Sequence, residues 1–415
     1  MLDSTASINA EVLSSSQRTA RTLVLRIASA LDKGSLSLIE NFSCSESREM
    51  VSERFGSESG THAAIEIKNP QFYPVLLKGG SIAVGEAFMN GWWDSPDLTA
   101  LMRLMAENLP VLDRLESKAG KLSKLLYKFD HWLNKNSKAN SRRNIEAHYD
   151  IGNDLYKLFL DSNMLYSSGI YLSEQESLEV AQKNKMERLC LQLQLKSSDH
   201  VLEIGTGWGA MAIYMAENYG CKVTTTTISE QQYQYAKQEI EQRGLSQQIT
   251  LLKKDYRELT GRFDKLVSIE MIEAVGKQYL PSYVKKCNEL LKPDGLMAIQ
   301  AITIADQRYH AYSSRVDFIQ KYIFPGGFLP SVTALLETTT RHSRLVATNV
   351  KDIGQDYAST LSEWHTRFTG SVHQVRQLGY DERFIRMWRY YLSYCEGGFL
   401  AKSISTVQLT LRKAG

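Results

Sequence analysis

No run of apolar residues in this sequence approaches the ~18–20 that a bilayer-spanning helix needs, so a helical membrane protein is not the expected class. Cysteine is sparse. The five cysteines (Cys44, Cys190, Cys221, Cys287, Cys395) are scattered and form no Cys-x-x-Cys pair, so neither a zinc site nor a disulfide framework is indicated. No metal is expected, and a reducing cytoplasm is the simplest home. Met1 to Ala20 is Ser-rich and has no apolar core, so it does not read as a secretory signal. An excess of one charge is missing too: 49 Lys/Arg against 46 Asp/Glu leave +3, too little to argue for a nucleic-acid partner. Internal repeats and long low-complexity segments are absent. What is present is an ordinary mixture, 43% hydrophobic and 23% charged over 415 residues, enough for two domains with at least one substantial core.

Three stretches differ in character. Residues 1–110 read as a small mixed α+β domain, associated with membrane or lipid. It has strand-like alternation from Ala63 to Lys68, a Gly79-Gly80 turn signal, and the run Gly85 to Asp94. The pair Trp92-Trp93 in that run either faces lipid or closes a small core. Residues 111–143 read as a basic connector. From Arg114 to Arg143 there are nine Lys/Arg and two acids, a local net of +7, and Leu115, Leu122, Leu125, Leu126, Phe129, Trp132 and Leu133 recur at helical spacing. Such a helix suits an anionic membrane surface, or it packs its apolar stripe on a neighbouring domain.

Residues 144–415 alternate strand and helix signals. Strands are expected over 200–204, 221–227, 248–252, 264–270 and 296–304, with helices near 209–218, 229–243 and 277–291. That alternation predicts a doubly wound, Rossmann-like α/β domain with a parallel sheet. Its strongest local motif is Val201-Leu-Glu-Ile-Gly205-Thr-Gly207-Trp-Gly209, an apolar strand running into closely spaced glycines before a helix. Glycines let backbone approach a ligand, and the helix N-terminus offers unpaired N–H groups. A dinucleotide site fits poorly. The spacing is GxGxG, not GxGxxG, and the second strand ends in threonines where a ribose-binding acid would be needed. The loop suits S-adenosylmethionine better than NAD.

Further segments follow in order: His148-Tyr-Asp-Ile-Gly-Asn-Asp-Leu-Tyr156, Met164-Leu-Tyr-Ser-Ser168, Thr227-Ile-Ser-Glu-Gln-Gln232, Asp255-Tyr-Arg257, Met271-Ile-Glu-Ala-Val-Gly276, Lys321-Tyr-Ile-Phe-Pro-Gly-Gly327, Asp356-Tyr357 and Tyr394-Cys-Glu-Gly-Gly-Phe399. With the glycine loop they resemble the cyclopropane fatty acid synthase and mycolic acid cyclopropane synthase family over residues 144–415. The resemblance implies S-adenosylmethionine as cofactor. Tyr166 and Ser167 would close over it. Gly205 and Gly207, with Glu203, would lie under its amino-acid part. Thr227 and Gln232 would contact the ribose side, and Asp255 and Tyr256 would border the adenine. It also implies a bound bicarbonate acting as base, held by a Cys, a Glu, a His, a Tyr and a backbone amide. Glu273 matches the Glu, Tyr357 the Tyr and Ile302 the backbone group. Ser168 stands at the Cys position and Gln300 at the His position, which weakens the case for ring closure more than that for methyl transfer. Glu273 is then the one acid of the cage, with Tyr357 as its partner, although an acid there also suits the N-terminus of the helix expected near 277. Tyr309, Tyr312, Tyr322, Phe324 and Phe328 either line an acyl tunnel or pack a cap over the sheet.

The expected activity is methyl(ene) transfer to the cis double bond of an unsaturated phospholipid chain, giving a cyclopropane. C-methylation without ring closure is the alternative, and a non-catalytic lipid-binding relative is the alternative of another class. The expected partner is unsaturated phospholipid at the inner face of the cell membrane, with no nucleic acid; a homodimer is left open. Basic residues near an anionic surface contribute about 1 kcal/mol each. Exchanging Lys121, Lys124 and Lys128 for Glu therefore lowers co-sedimentation with anionic vesicles, most at low salt. Undiminished sedimentation of that triple variant overturns the membrane reading of the connector.

Overall fold

A strand buried on both faces of a sheet needs apolar side chains pointing both ways, and the segments around 200–204 and 264–269 supply them. The computed structural model describes residues 13–42, 51–111, 152–314 and 316–415. These residues form two compact units, one joining residues up to 111 with Asp381–Ala401, the other comprising residues 152–380 with Lys402–Gly415. The basic connector expected over 111–143 lies outside the described residues except for Val111. Among the described residues no helix is long and apolar enough to cross a membrane.

The first unit carries a four-stranded sheet built from β1 (Ser35–Glu40), β2 (Val51–Gly56), β3 (His62–Ile67) and β4 (Trp93–Asp94), in the order β2-β1-β3-β4. Helices Ser15–Ala28, Phe72–Met89 and Leu98–Glu107 accompany it. The Gly79-Gly80 turn signal proves to be a kink inside the helix Phe72–Met89, where Gly80 has φ 56°. Of the two tryptophans, Trp93 is fully buried. Its indole Nε1 donates to the Val84 carbonyl at 2.9 Å and its ring packs on Phe88 and Tyr390, so at this position the core reading holds and the lipid-facing one does not.

Tyr390 belongs to the helix Glu382–Leu400, and here the expected domain boundary needs correction. That segment was assigned to the domain 144–415, yet it groups with the N-terminal unit. The cause is its buried face, Trp388, Tyr390, Tyr391 and Phe399, and the close approach that Gly397 permits. A Cβ at Gly397 would stand 2.6 Å from both the Arg103 amide nitrogen and Met102 Cβ. The Arg386 guanidinium, on the same helix, lies 4.0 Å from the Phe88 ring centroid, donates to the Trp93 carbonyl at 2.9 Å and pairs with Asp94 at 3.1 Å.

The second unit is a seven-stranded sheet. Its strands are β5 (His200–Ile204), β6 (Lys222–Thr227), β7 (Ile249–Lys253), β8 (Phe263–Ile269), β9 (Leu291–Ile304), β10 (Leu345–Asp352) and β11 (Ile404–Lys413), in the order β10-β11-β9-β8-β5-β6-β7. Strands β7, β6, β5, β8 and β9 are parallel, and β11 and β10 run antiparallel at one edge. Val201 and Val267 enter one apolar cluster while Leu202 and Leu266 enter the other, so both faces are covered. The doubly wound α/β expectation is met. Order reverses at β5, whose neighbours are β6 and β8, and ligands of open parallel sheets bind at the carboxyl ends beside such a reversal. Three local expectations shift, the first being the strand expected over 296–304, which begins earlier at Leu291. The strand expected to end at residue 270 stops at Ile269, because Glu270 adopts φ 47°. The helix expected from about 277 begins at Leu280, after short 3₁₀ turns at Ile272–Ala274 and Lys277–Tyr279.

Replacing a helical Gly by Ala ordinarily stabilises by up to about 1 kcal/mol. At Gly397 the added methyl meets backbone, so Gly397→Ala is expected to destabilise the first unit by about 1–3 kcal/mol, the usual penalty of overpacking. Denaturant unfolding followed by tryptophan fluorescence measures the sign; a stabilised variant rules out the close approach.

Candidate active site

The glycine loop follows β5. Gly205, Gly207 and Gly209 all have positive φ, at 100°, 54° and 101°. Such angles strain any residue with a Cβ. Gly205 also lies close to β8's extension, since a Cβ there would be 3.2 Å from Met271 Cγ. At Gly207, by contrast, a Cβ would meet no protein atom within 4 Å, so the loop presents bare backbone to open space. Bare backbone of this kind is what the implied S-adenosylmethionine would need, and the open space at Gly207 fits it. Thr227 Oγ1 and Gln232 Oε1 are 2.8 Å apart at the end of β6. Trp208 donates to Asn153 Oδ1 at 2.8 Å and packs on Tyr156, which ties the loop to the short helix Asn153–Tyr156.

Other expected cofactor residues are drawn into protein contacts. Glu203 is buried and accepts from Thr225 Oγ1 at 2.5 Å across the sheet, and burial pushes its carboxyl up to about 8. Asp255 caps the following turn and holds the Arg257 guanidinium at 2.6 Å. Tyr256 packs edge-on to Tyr283, with Arg257 over its face. Tyr166 lies 5.2 Å from both Tyr156 and Trp364 and 6.2 Å from Phe324, forming an aromatic wall. Ser167 Oγ accepts from the buried Lys185 at 2.6 Å. Burial lowers that ammonium to about 8, against the opposing pull of Glu270 and Asp161.

Of the residues implied to cage a bicarbonate, Ser168, Gln300 and Tyr357 meet on an acid that sequence reasoning missed. Glu270 Oε1 accepts from the Ser168 amide at 2.9 Å and from Gln300 Nε2 at 2.8 Å; its Oε2 accepts from the Tyr357 hydroxyl at 2.8 Å. Tyr357 is therefore the partner of Glu270, not of Glu273 as expected. Ser168 contributes its backbone: its hydroxyl donates instead to the Gly169 carbonyl at 2.9 Å. Gln300 is oriented by Gln408, whose amide donates to Gln300 Oε1 at 2.9 Å and so aims Nε2 at Glu270. Asp356 accepts from the Tyr171 amide at 2.9 Å and Thr360 Oγ1 accepts from the Gly169 amide at 3.0 Å, fixing the segment that bears Ser168.

Glu273 occupies a different environment. Its Oε1 accepts from the Ile302 amide at 2.5 Å, and its buried Oε2 has no hydrogen-bond partner among the described residues. Burial, and after it the charge on Glu270, pushes its carboxyl up to about 8. Burial raises Glu270 too, but Gln300, the Ser168 amide, Lys185 and Tyr357 all pull the other way. Two neighbouring acids whose surroundings differ in this way divide the roles of anion and neutral acid. The donors around Glu270 favour its anion, whereas burial and the neighbouring charge favour the neutral form of Glu273. The implied bicarbonate fits this donor set poorly, because the Ser168 amide, Gln300, Tyr357 and the Ile302 amide already serve carboxylates of the chain and the Ser168 hydroxyl serves a carbonyl. The aromatic segment beyond β9 turns partly on itself, Tyr309 and Tyr312 packing on Phe328, whose amide donates to the Glu273 carbonyl at 2.9 Å.

A side chain at residue 207 would carry backbone strain and fill the open space of the cradle. Gly207→Val is expected to weaken S-adenosylmethionine binding by on the order of 100-fold, about 2.8 kcal/mol. Calorimetry on the folded variant reads this directly, and an unchanged affinity rejects the assignment of the loop.

A family model described as mycolic acid cyclopropane synthetase matches residues 136–409. The chain is 36% identical over 354 residues to the tuberculostearic acid methyltransferase UfaA1 of Mycobacterium tuberculosis, spanning 81% of this chain and 80% of that protein. It is likewise 36% identical over 359 residues to the cyclopropane-fatty-acyl-phospholipid synthase of Escherichia coli, spanning 85% and 88%. The crystal structure of mycolic acid cyclopropane synthase CmaA1 complexed with SAH and CTAB is similar with a TM-score of 0.62 at 26% identity, covering 66% of this chain and 98% of that one. With the doubly wound sheet and the glycine cradle at its switch point, these similarities establish that the chain belongs to the mycolic acid cyclopropane synthetase family and is an S-adenosylmethionine-dependent methyltransferase.

Proposed function

We propose that the enzyme transfers a methyl(ene) group from S-adenosylmethionine to the cis double bond of an unsaturated phospholipid acyl chain and closes a cyclopropane ring. The similarity to the Escherichia coli synthase, over 85% of this chain, carries this reading. S-adenosylmethionine supplies an electrophilic methyl group, and a double bond is a weak nucleophile, so the protein's task is alignment and exclusion of water. The glycine loop binds; the wall of Tyr156, Tyr166, Phe324 and Trp364 keeps water out. The cation left on the chain is stabilised by the carboxylate of Glu270, and by aromatic faces such as Tyr166 and Tyr357. In this reading Tyr309, Tyr312, Tyr322, Phe324 and Phe328 border the acyl chain.

Membrane lipid as substrate fits the +7 of Arg114 to Arg143. The reading places the enzyme peripherally on the inner face of the cell membrane. A second reading, methylation without ring closure, is supported by the equal identity to a tuberculostearic acid methyltransferase and by Ser168 and Gln300 at the implied Cys and His positions.

Ring closure and methylene branching both add one carbon and two hydrogens, so mass does not separate them. Proton NMR of lipid from a host that lacks cyclopropane lipids and expresses this chain does. Upfield ring protons are expected; vinylidene signals with no upfield ring signal make the branched product the function.

A further inference from the structure

The carboxylate of Glu270 occupies the donors that the family resemblance assigns to a bicarbonate ion. Resting on the proposed double-bond chemistry, we propose that Glu270 is a catalytic residue, the chain's own base, which takes the proton lost from the methylated acyl chain so that no free bicarbonate is required.

Four observations carry this. Three donors from separate elements, the Ser168 amide, the Gln300 side chain on β9 and the Tyr357 hydroxyl on the helix Gly354–Gly370, converge on one carboxylate. The side chain is delivered there by a residue in the left-handed region, φ 47°, a conformation that costs energy outside glycine and persists only where its surroundings impose it. Glu270 directly follows β8, and its neighbour Met271 lies against Gly205 of the cofactor loop, so the carboxylate stands beside the cradle. Of the remaining cage groups, the Ser168 hydroxyl is turned to Gly169 and the Ile302 amide serves Glu273, so a second anion would find only the unpartnered Oε2 of Glu273. A bicarbonate would have to enter next to an existing negative charge with the Glu273 carboxyl as its one unengaged partner, a poorly compensated burial that proteins avoid.

The chemistry balances with Glu270 alone. The π pair of the double bond forms the new carbon–carbon bond, the carbon–sulfur bond breaks with its pair left on sulfur, and the adjacent chain carbon becomes cationic. One C–H bond of the new methyl then breaks. Its electron pair closes the ring, and its proton passes to Oε2 of Glu270. An ionised carboxylate has about four acceptor positions, and three of these are filled, which leaves one on Oε2 for that proton. The neutral acid returns the proton to water after the product leaves.

The test uses the full chain, S-adenosylmethionine, vesicles of unsaturated phospholipid and carbon-dioxide-free buffer, with bicarbonate as the added probe. S-adenosylhomocysteine release reports turnover, and calorimetry reports bicarbonate and cofactor binding. The native enzyme is expected to turn over equally with and without bicarbonate and to bind none. Glu270→Gln is expected to lose on the order of 100-fold or more in turnover while keeping cofactor affinity, the scale of a lost general base. Glu270→Gly, which frees the donors and tolerates the backbone angle, is expected to bind bicarbonate and to regain turnover in its presence. A native enzyme whose rate collapses without bicarbonate, or a Glu270→Gln enzyme near the native rate, overturns the proposal. If no unsaturated phospholipid is turned over at all, the proposed function fails. The inference is then decided by binding alone, native against Glu270→Gly.

Discussion

A carboxylate drawn out of water must be compensated, and the compensation of Glu270 organises much of the catalytic unit. Each donor arrives on a different element: Ser168 from the segment before the helix Leu178–Leu193, Gln300 from the middle of β9, Tyr357 from the first turns of the helix Gly354–Gly370. Lys185 adds its charge from within the helix Leu178–Leu193. Each of these is braced in turn. Gln408 on β11 orients Gln300, Asp356 and Thr360 hold the Ser168 segment, and Ser167 receives the Lys185 ammonium. Removing any one donor leaves the others facing a less well-paired charge, so the network behaves as a unit.

The same constraint separates the two acids. Glu270 has three donors and a nearby ammonium; Glu273 has one backbone amide and a buried oxygen without a partner. They stand three residues apart in sequence, yet one is suited to remain an anion and the other to hold its proton. A site that stabilises a cation gains from a single fixed negative charge, whereas a second one at this depth would cost several kcal/mol in desolvation.

Much of this architecture could be read from the sequence. Strands with apolar residues on both faces stood out around 201–204 and 264–269, and the glycine loop sat where the parallel order reverses. Ordered motifs carry Ser168 and Tyr357, and the family resemblance they support adds Gln300 to the same frame. Glu270 escaped because it was absorbed into the end of the strand 264–270. An acid closing the otherwise apolar run Leu266 to Ile269, at the carboxyl end of a central strand, was the available signal. Gln408 left no such signal, for its role depends on the register that sets it opposite Gln300 across β11 and β9. Nor could composition show that the helix Glu382–Leu400 leaves the catalytic unit. Its Gly397 looks like a helix weakness until Met102 and Arg103 are found against it.

That helix has a consequence for how the chain can be made. The first unit lacks one of its helices until residue 400 has been synthesised, although most of its residues come from the first quarter of the chain. The second unit is no earlier: β11 comes after that helix and lies between β9 and β10, so β10 has no strand to pair with until residues 404–413 emerge. Neither unit can therefore complete its fold before the other in the usual N-terminal-first order. The excursion of one helix between two strands makes both units wait for the same stretch, residues 381 to 413, so that contacts distant in sequence close last.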